Sequence, residues 1–244
     1  MTLGLLAAGE GSRLRAEGIT TPKGMVEIGG VPMIQRTIER FSDAGIDHVC
    51  CIVNEESPEL QSWLHNAPLP VTLDLVVRST PSSLHSLVAL APFLEQRGGH
   101  FFLTTVDAVF PPEELLPFVE AAAVRLADDQ GTIAVTRFVE DESPLYVDVR
   151  PEDHRIVAVG EDTVGREWVT GGLYHFPVRA LSVARELTAV GVHRLRRFQR
   201  ELVRRKFDVR AHEFSIVIDV DHRADIERAE ELLSGREQGG STDG

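Results

Sequence analysis

The chain has 244 residues, with 38 Asp and Glu against 25 Lys and Arg and a formal net charge of −13. That length suits one well-packed core, and 43% hydrophobic with 26% charged residues exclude a chain disordered over most of its length. The acidic balance argues against a nucleic-acid binder, which needs a basic footprint, yet leaves room for a nucleoside triphosphate held by a few placed cations.

The elements follow in chain order. Thr2 to Ala8 is a short apolar strand closing on glycine. It has no basic flank and is too short for a secretory leader, and no segment reaches the ~20 apolar residues of a membrane helix. Pro32 to Ala44 is a helix, with Met33, Ile34, Ile38 and Phe41 at helical spacing. His48 to Val53 is a strand holding Cys50 and Cys51, a pair that suits burial and builds neither a disulfide framework nor a zinc site. A reducing, cytoplasmic setting is expected, with no membrane partner; oligomeric state leaves no mark. Pro58 to His65 is a helix, Val71 to Val77 a strand, Ser82 to Leu94 a helix, His100 to Val106 a strand, and Pro111 to Leu126 a helix opened by two prolines. This alternation predicts an α/β fold with a mainly parallel, Rossmann-like sheet flanked by helices, and ligands beyond the carboxyl ends of the strands.

The second half is strand-rich: Gly131 to Phe138, Leu145 to Val149, Arg155 to Val159 and Glu167 to Phe176 predict an antiparallel extension. Helices at Val178 to Thr188 and His193 to Arg205 precede strands at Asp208 to Glu213 and Ser215 to Val220, then a helix from His222 to Leu233. One domain is expected over residues 1–234, with 235–244 as a flexible tail.

Gly9-Glu10-Gly11-Ser12-Arg13-Leu14 leaves the first strand. Its glycines permit a tight turn that aims amides at phosphate. Leu14 stands where a dinucleotide loop needs its third glycine, and the Gly-Lys-Ser/Thr of a Walker loop is absent. Glycines alone would be a plain turn. Arg13, Pro22-Lys23 and the run Met25 to Ile34 make the pattern specific. Over residues 3–34 the sequence resembles the nucleotidyltransferases that activate sugar phosphates and related metabolites, whose signature is L-A-A-G-x-G-x-R-L, then P-K, then an apolar stretch with G-x-P.

The resemblance implies a nucleotide-diphospho-sugar transferase fold and transfer of NMP from an NTP to a phosphorylated small metabolite, a sugar 1-phosphate or a polyol or choline phosphate, with release of pyrophosphate. Arg13 and Lys23 are then catalytic, as cations that offset repulsion between two anions; otherwise they are solvated loop charges. Leu6, Ala7, Ala8, Gly9, Glu10, Gly11, Ser12, Arg13, Arg78, Ser82 and Ser83 are the nucleotide contacts, Ser82 being equally a plain helix cap. Asp107, Glu161 and Gly172 are the acceptor contacts. Mg²⁺ is the implied cofactor, with Asp107 as one ligand unless it caps a helix, and Asp219 or Asp221 as the second. Asp162 replaces the lysine that holds the acceptor phosphate in the resembling enzymes; Arg166 or the basic helix from His193 is a possible substitute, although such arginines usually form a solvated face. The competing expectation is a non-catalytic nucleotide or NDP-sugar binding protein of the same fold.

Overall fold

The structure is a computed structural model that describes residues 1–138 and 143–237. Strand β1 (Thr2–Ala7) leads through the glycine turn to a short helix α1 (Ser12–Ala16), a 3₁₀ turn at Lys23–Met25, the small hairpin β2 (Glu27–Ile28) and β3 (Val31–Pro32), and helix α2 (Met33–Asp43). Then come β4 (His48–Val53), α3 (Pro58–Asn66), β5 (Thr72–Val77), α4 (Ser83–Gln96), β6 (His100–Thr105), the short β7 (Ala108–Val109) and α5 (Leu115–Val124). The second half contains β8 (Gly131–Thr136), β9 (Tyr146–Val149), β10 (Ile156–Val159), β11 (Trp168–Pro177), α6 (Ala180–Ala189), α7 (Leu195–Arg204), β12 (Val209–Glu213), β13 (Ile218–Asp219) and α8 (Arg223–Glu237).

One sheet carries the fold, in the order β10-β9-β11-β6-β1-β4-β5, with β8 beside β11 and β12 beside β8. β6, β1, β4 and β5 are mutually parallel, and β11 runs antiparallel to β6, β8 and β9. The two-residue side-chain period of a strand divides β1 between two cores. Leu3, Leu5 and Ala7 face Ile34, Ile38, Phe41 and Phe118, while Leu6 joins Leu84, Leu87, Leu181 and Phe198 on the other face. Each such side chain contributes roughly 1.5–3 kcal/mol by leaving water. Both faces are therefore covered, and the ligand-binding edge lies at the carboxyl ends of the parallel strands.

The α/β architecture matches the expectation, antiparallel extension included, since β8, β9, β10 and β11 pair antiparallel. β12, reached through α6 and α7, re-enters the sheet parallel to β8. Two boundaries differ. Only Ile218–Asp219 of the expected final strand is paired. Helix α8 runs on through Gly235 to Glu237, so the expected tail starts too early; its residues 238–244 lie outside the described residues.

Cys50 and Cys51 are free and fully buried on β4. Cys50 sits with His48 and Asp74, their ligand atoms within 4.8 Å of one another. The cysteine pair alone offers no such grouping; His48 and Asp74 complete it, Asp74 from the neighbouring strand β5. His48 Nε2 lies 2.7 Å from Asp74 Oδ2, Arg97 lies 3.6 Å from the same carboxylate, and burial pushes the Cys50 thiol up to about 12. Among the described residues no helix is long and apolar enough to cross a membrane.

Candidate active site

The glycine turn is built by one glycine and opened by the other. Gly11 has φ +62°, and a Cβ there would stand 3.2 Å from Cβ of Lys23, so conformation and space both demand glycine. Gly9 has nothing within 4 Å of its would-be Cβ, which leaves the surface above it open to a ligand. Leu6 and Ala7 are buried, Asn54 Nδ2 donates to the Ala8 carbonyl at 3.5 Å, and Gly9, Glu10 and Ser12 are exposed at the loop tip. Leu14, 2% exposed, anchors α1 in the core.

Lys23 stands at the head of its 3₁₀ turn, where Met25 N donates to Pro22 O at 2.7 Å, and its side chain is buried. Its ammonium donates to Asp107 and, at 2.6 Å, to Asp221 Oδ1. Burial disfavours its charge, but the two carboxylates outweigh this and hold its pKa above the usual lysine range. Asp107 shows the converse: burial pushes its carboxyl up, and the adjacent Lys23 pulls it below the usual carboxylate range. Arg13 donates to the other oxygen of Asp221.

Asp107 lies in the turn between β6 and β7, where Val220 N donates to its carbonyl at 3.0 Å. That bond and the β7–β13 ladder, with Asp219 opposite Ala108, bring the C-terminal segment against the end of β6. Val106, just before this turn, is buried. β11 bulges at Gly171-Gly172, so Gly172 reaches φ +74°; a Cβ there would meet Ala108 Cβ at 3.3 Å and Asp219 Oδ1 at 3.6 Å.

These groups open into one cleft of about 570 Å³ lined by Arg13, Ser83, Asp107, Gly172, Asp219 and Asp221. Asp107 Oδ1 is buried with no hydrogen-bond partner among the described residues, an oxygen that fits a hard divalent cation. Asp219, against Gly172 on the same wall, fits as the second ligand. Asp221 has both oxygens engaged by Lys23 and Arg13; at the start of α8 Asp225 accepts from Asp221 N and His222 N, and Glu17 accepts from Arg223 N at 2.7 Å.

Other expected contacts lie elsewhere. Ser82 caps α4, its hydroxyl 2.9 Å from His85 Nδ1 and accepting from His85 N. Arg78 is exposed and does not line the cleft. Neither does Glu161, whose carboxylate is bound by Arg200 at 2.9 Å. A surface carboxylate next to an arginine-rich helix is taken up by an ion pair, which position in a motif does not reveal. Thr105, Thr136, Tyr174, Arg194 and Gln199 also line the cleft and were not singled out by sequence. Tyr174 is pushed up to about 12 by burial and the nearby charge of Asp219. Its place in the Glu167 to Phe176 strand was the available signal, as the basic helix from His193 was for Arg194; Gln199 had none.

A doubly covered, mainly parallel sheet, a glycine turn after β1 and carboxylates after β6 and at β13 define the nucleotide-diphospho-sugar transferase fold. A solved structure of that architecture, described as the inositol-1-phosphate CTP transferase from T. maritima, superposes with a TM-score of 0.80 over 98% of this chain and 96% of that one, at 20% identity. The chain belongs to the MobA-like NTP transferase domain family, which matches residues 4–205. Among curated relatives it is similar to the mannose-1-phosphate guanyltransferases of Hypocrea jecorina, 30% identical over 182 residues, and Gibberella zeae, 29% identical over 182 residues. Each match covers 70% of this chain and 48% of the relative, so the chain spans about half the length of those proteins.

Proposed function

We propose that the protein is a divalent-metal-dependent nucleotidyltransferase that moves NMP from an NTP to a sugar phosphate or a related phosphorylated metabolite and releases pyrophosphate. The observation that carries this reading is Lys23, a buried ammonium shared between Asp107 and Asp221, with Arg13 on the far side of Asp221.

The chemistry joins two anions. An oxygen of the acceptor phosphate attacks the α-phosphorus, a new P–O bond forms, and the bond to pyrophosphate breaks. The chain must align the partners and offset charge as it builds. The open backbone over Gly9 suits the triphosphate. Arg13 presents a planar fork to its terminal phosphates once it leaves Asp221. Lys23, anchored by two carboxylates, places positive charge where the α-phosphate meets the acceptor. Ser83 lies on the cleft wall toward the base. Asp107 and Asp219 would hold the metal ion, Mg²⁺ by the hardness of their donors. A bound Mg²⁺ supplies electrostatic stabilisation of the phosphoryl oxygens. Relatives named as mannose-1-phosphate guanyltransferases support a sugar phosphate as acceptor.

The test is pyrophosphate release from a panel of four NTPs against sugar 1-phosphates, inositol 1-phosphate and phosphocholine, with and without Mg²⁺. Turnover with one NTP–acceptor pair, lost in Arg13→Ala and Lys23→Ala variants that still fold, is expected. Absence of turnover with every pair, or near-wild-type rates in both variants, overturns the reading.

A further inference from the structure

The arginines around the start of α7 fall into two groups. Arg197 and Arg200 turn to the acidic pair Glu161 and Asp162: Arg197 Nη2 lies 3.4 Å from Glu161, and Arg200 binds Asp162 through two 2.6 Å bonds. Arg194 and Arg196 line the cleft instead. Arg196 is braced across the opening by a 3.1 Å bond to the Ser143 carbonyl. Arg194, the N-cap residue of α7, makes no side-chain hydrogen bond or ion pair among the described residues. No side chain caps this helix start, where Arg197 N donates to Arg194 O at 3.0 Å, and the partial positive charge of the helix start lies beside the cleft that Arg194, Leu195 and Arg196 line.

A second observation lies one turn further along α7. Gln199 is 2% exposed and lines the cleft, and its Oε1 has no hydrogen-bond partner among the described residues. A buried amide oxygen left unpaired is costly unless something donates to it. Thr136 and Thr170 line the same cleft with hydroxyls.

Resting on the nucleotidyltransferase reading above, we propose that Arg194 and the first-turn amides of α7 hold the phosphate of the acceptor, while Gln199 accepts from one of its hydroxyls. Arg194 thereby supplies the cation missing at Asp162. The acceptor is then a polyhydroxylated phosphate, a sugar or cyclitol phosphate. A phosphorylated quaternary amine has no hydroxyl to donate to Gln199 Oε1.

The experiment compares the full-length protein with Arg194→Gln, Arg194→Lys, Gln199→Leu and, as control, Arg197→Gln. Pyrophosphate release is measured against glucose 1-phosphate, mannose 1-phosphate, inositol 1-phosphate and phosphocholine. The acceptor KM should rise about 10- to 100-fold in Arg194→Gln, the loss of a charge-assisted hydrogen bond, with partial recovery in Arg194→Lys. The NTP KM should not move, and Arg197→Gln should match the wild type. A wild-type acceptor KM in Arg194→Gln, an equal rise in both KM values, or a preference for phosphocholine overturns the proposal. If the wild type turns over no acceptor, the catalytic reading fails separately. Calorimetric titration of inositol 1-phosphate into the nucleotide-free protein then decides: binding that Arg194→Gln abolishes upholds the anion site, and no binding, or binding unchanged in the variant, overturns it.

Discussion

Lys23 Nζ lies 2.6 Å from Asp221 Oδ1, joining residues 198 positions apart in the chain, and the same ammonium holds Asp107. The 3₁₀ turn at Lys23–Met25, the end of β6 and the segment before α8 are thus tied by one buried cation. Removing it leaves two carboxylates facing each other. Lys23→Met should cost about 2–3 kcal/mol, below the ~3–5 kcal/mol of a fully buried pair because both carboxylates keep some solvent. Adding Asp107→Asn should recover part of the loss. Urea denaturation of the two single variants and the double variant measures the coupling. The stabilisation from Asp107, whose folded pKa is lowered, is present above its unfolded pKa and fades as pH falls through the folded one.

The two loop glycines should separate stability from binding. Gly11→Ala meets both a left-handed backbone and the Lys23 side chain, and should cost at least ~1–2 kcal/mol. Gly9→Ala points into open space and should leave the thermal midpoint unchanged while raising the NTP KM. A fall in stability for Gly9→Ala as large as that for Gly11→Ala contradicts this division.

Asp219 and Asp221 should respond differently to metal. Asp219→Asn should shift the Mg²⁺ dependence of pyrophosphate release to concentrations at least about tenfold higher, as loss of a ligand does. Asp221→Asn removes the partner of Lys23 and Arg13, and should lower kcat with little change in the Mg²⁺ midpoint. The reverse pattern would make Asp221 the ligand.

His175 on β11 is fully buried, stacked on His100, and has no partner on either ring nitrogen among the described residues. Burial first, then His100 and Arg125, push it down to about 3. The folded state therefore stays neutral while the unfolded state takes up a proton below about 6.5. Stability should fall as pH drops through that window, by at most ~1.4 kcal/mol per pH unit from this residue. His175→Leu should flatten the slope of urea midpoints between pH 6.5 and 4.5. An unchanged slope means that other groups carry the acid sensitivity.

Elements read from periodicity match the structure closely where the pattern is local. His48 to Val53 is a strand over that span, and the α2 and α4 helices sit within two residues of their expected ends. The Gly-x-Gly turn, Arg13 and Pro22-Lys23 were legible because they lie within a short stretch of chain. The short helix α1, the β2–β3 hairpin and β7 were not, since elements of two to five residues carry too few side chains to show a period. Ser82 was legible only as a choice between cap and base contact; its bond to His85 makes it a cap here.

By itself the sequence determined a covered, mainly parallel α/β sheet, a glycine turn after its first strand, and the placement of Arg13 and Lys23 close behind that turn. These follow from side-chain period and backbone freedom, which act over a few residues. The tertiary structure alone decided that Asp221 clamps Lys23 and Arg13 while Asp219 stands against Gly172. It also decided that Arg197 and Arg200 leave the cleft while Arg194 stays in it. Ion-pair partners are chosen by which surfaces the packed core brings together, and no spacing along the chain encodes that choice.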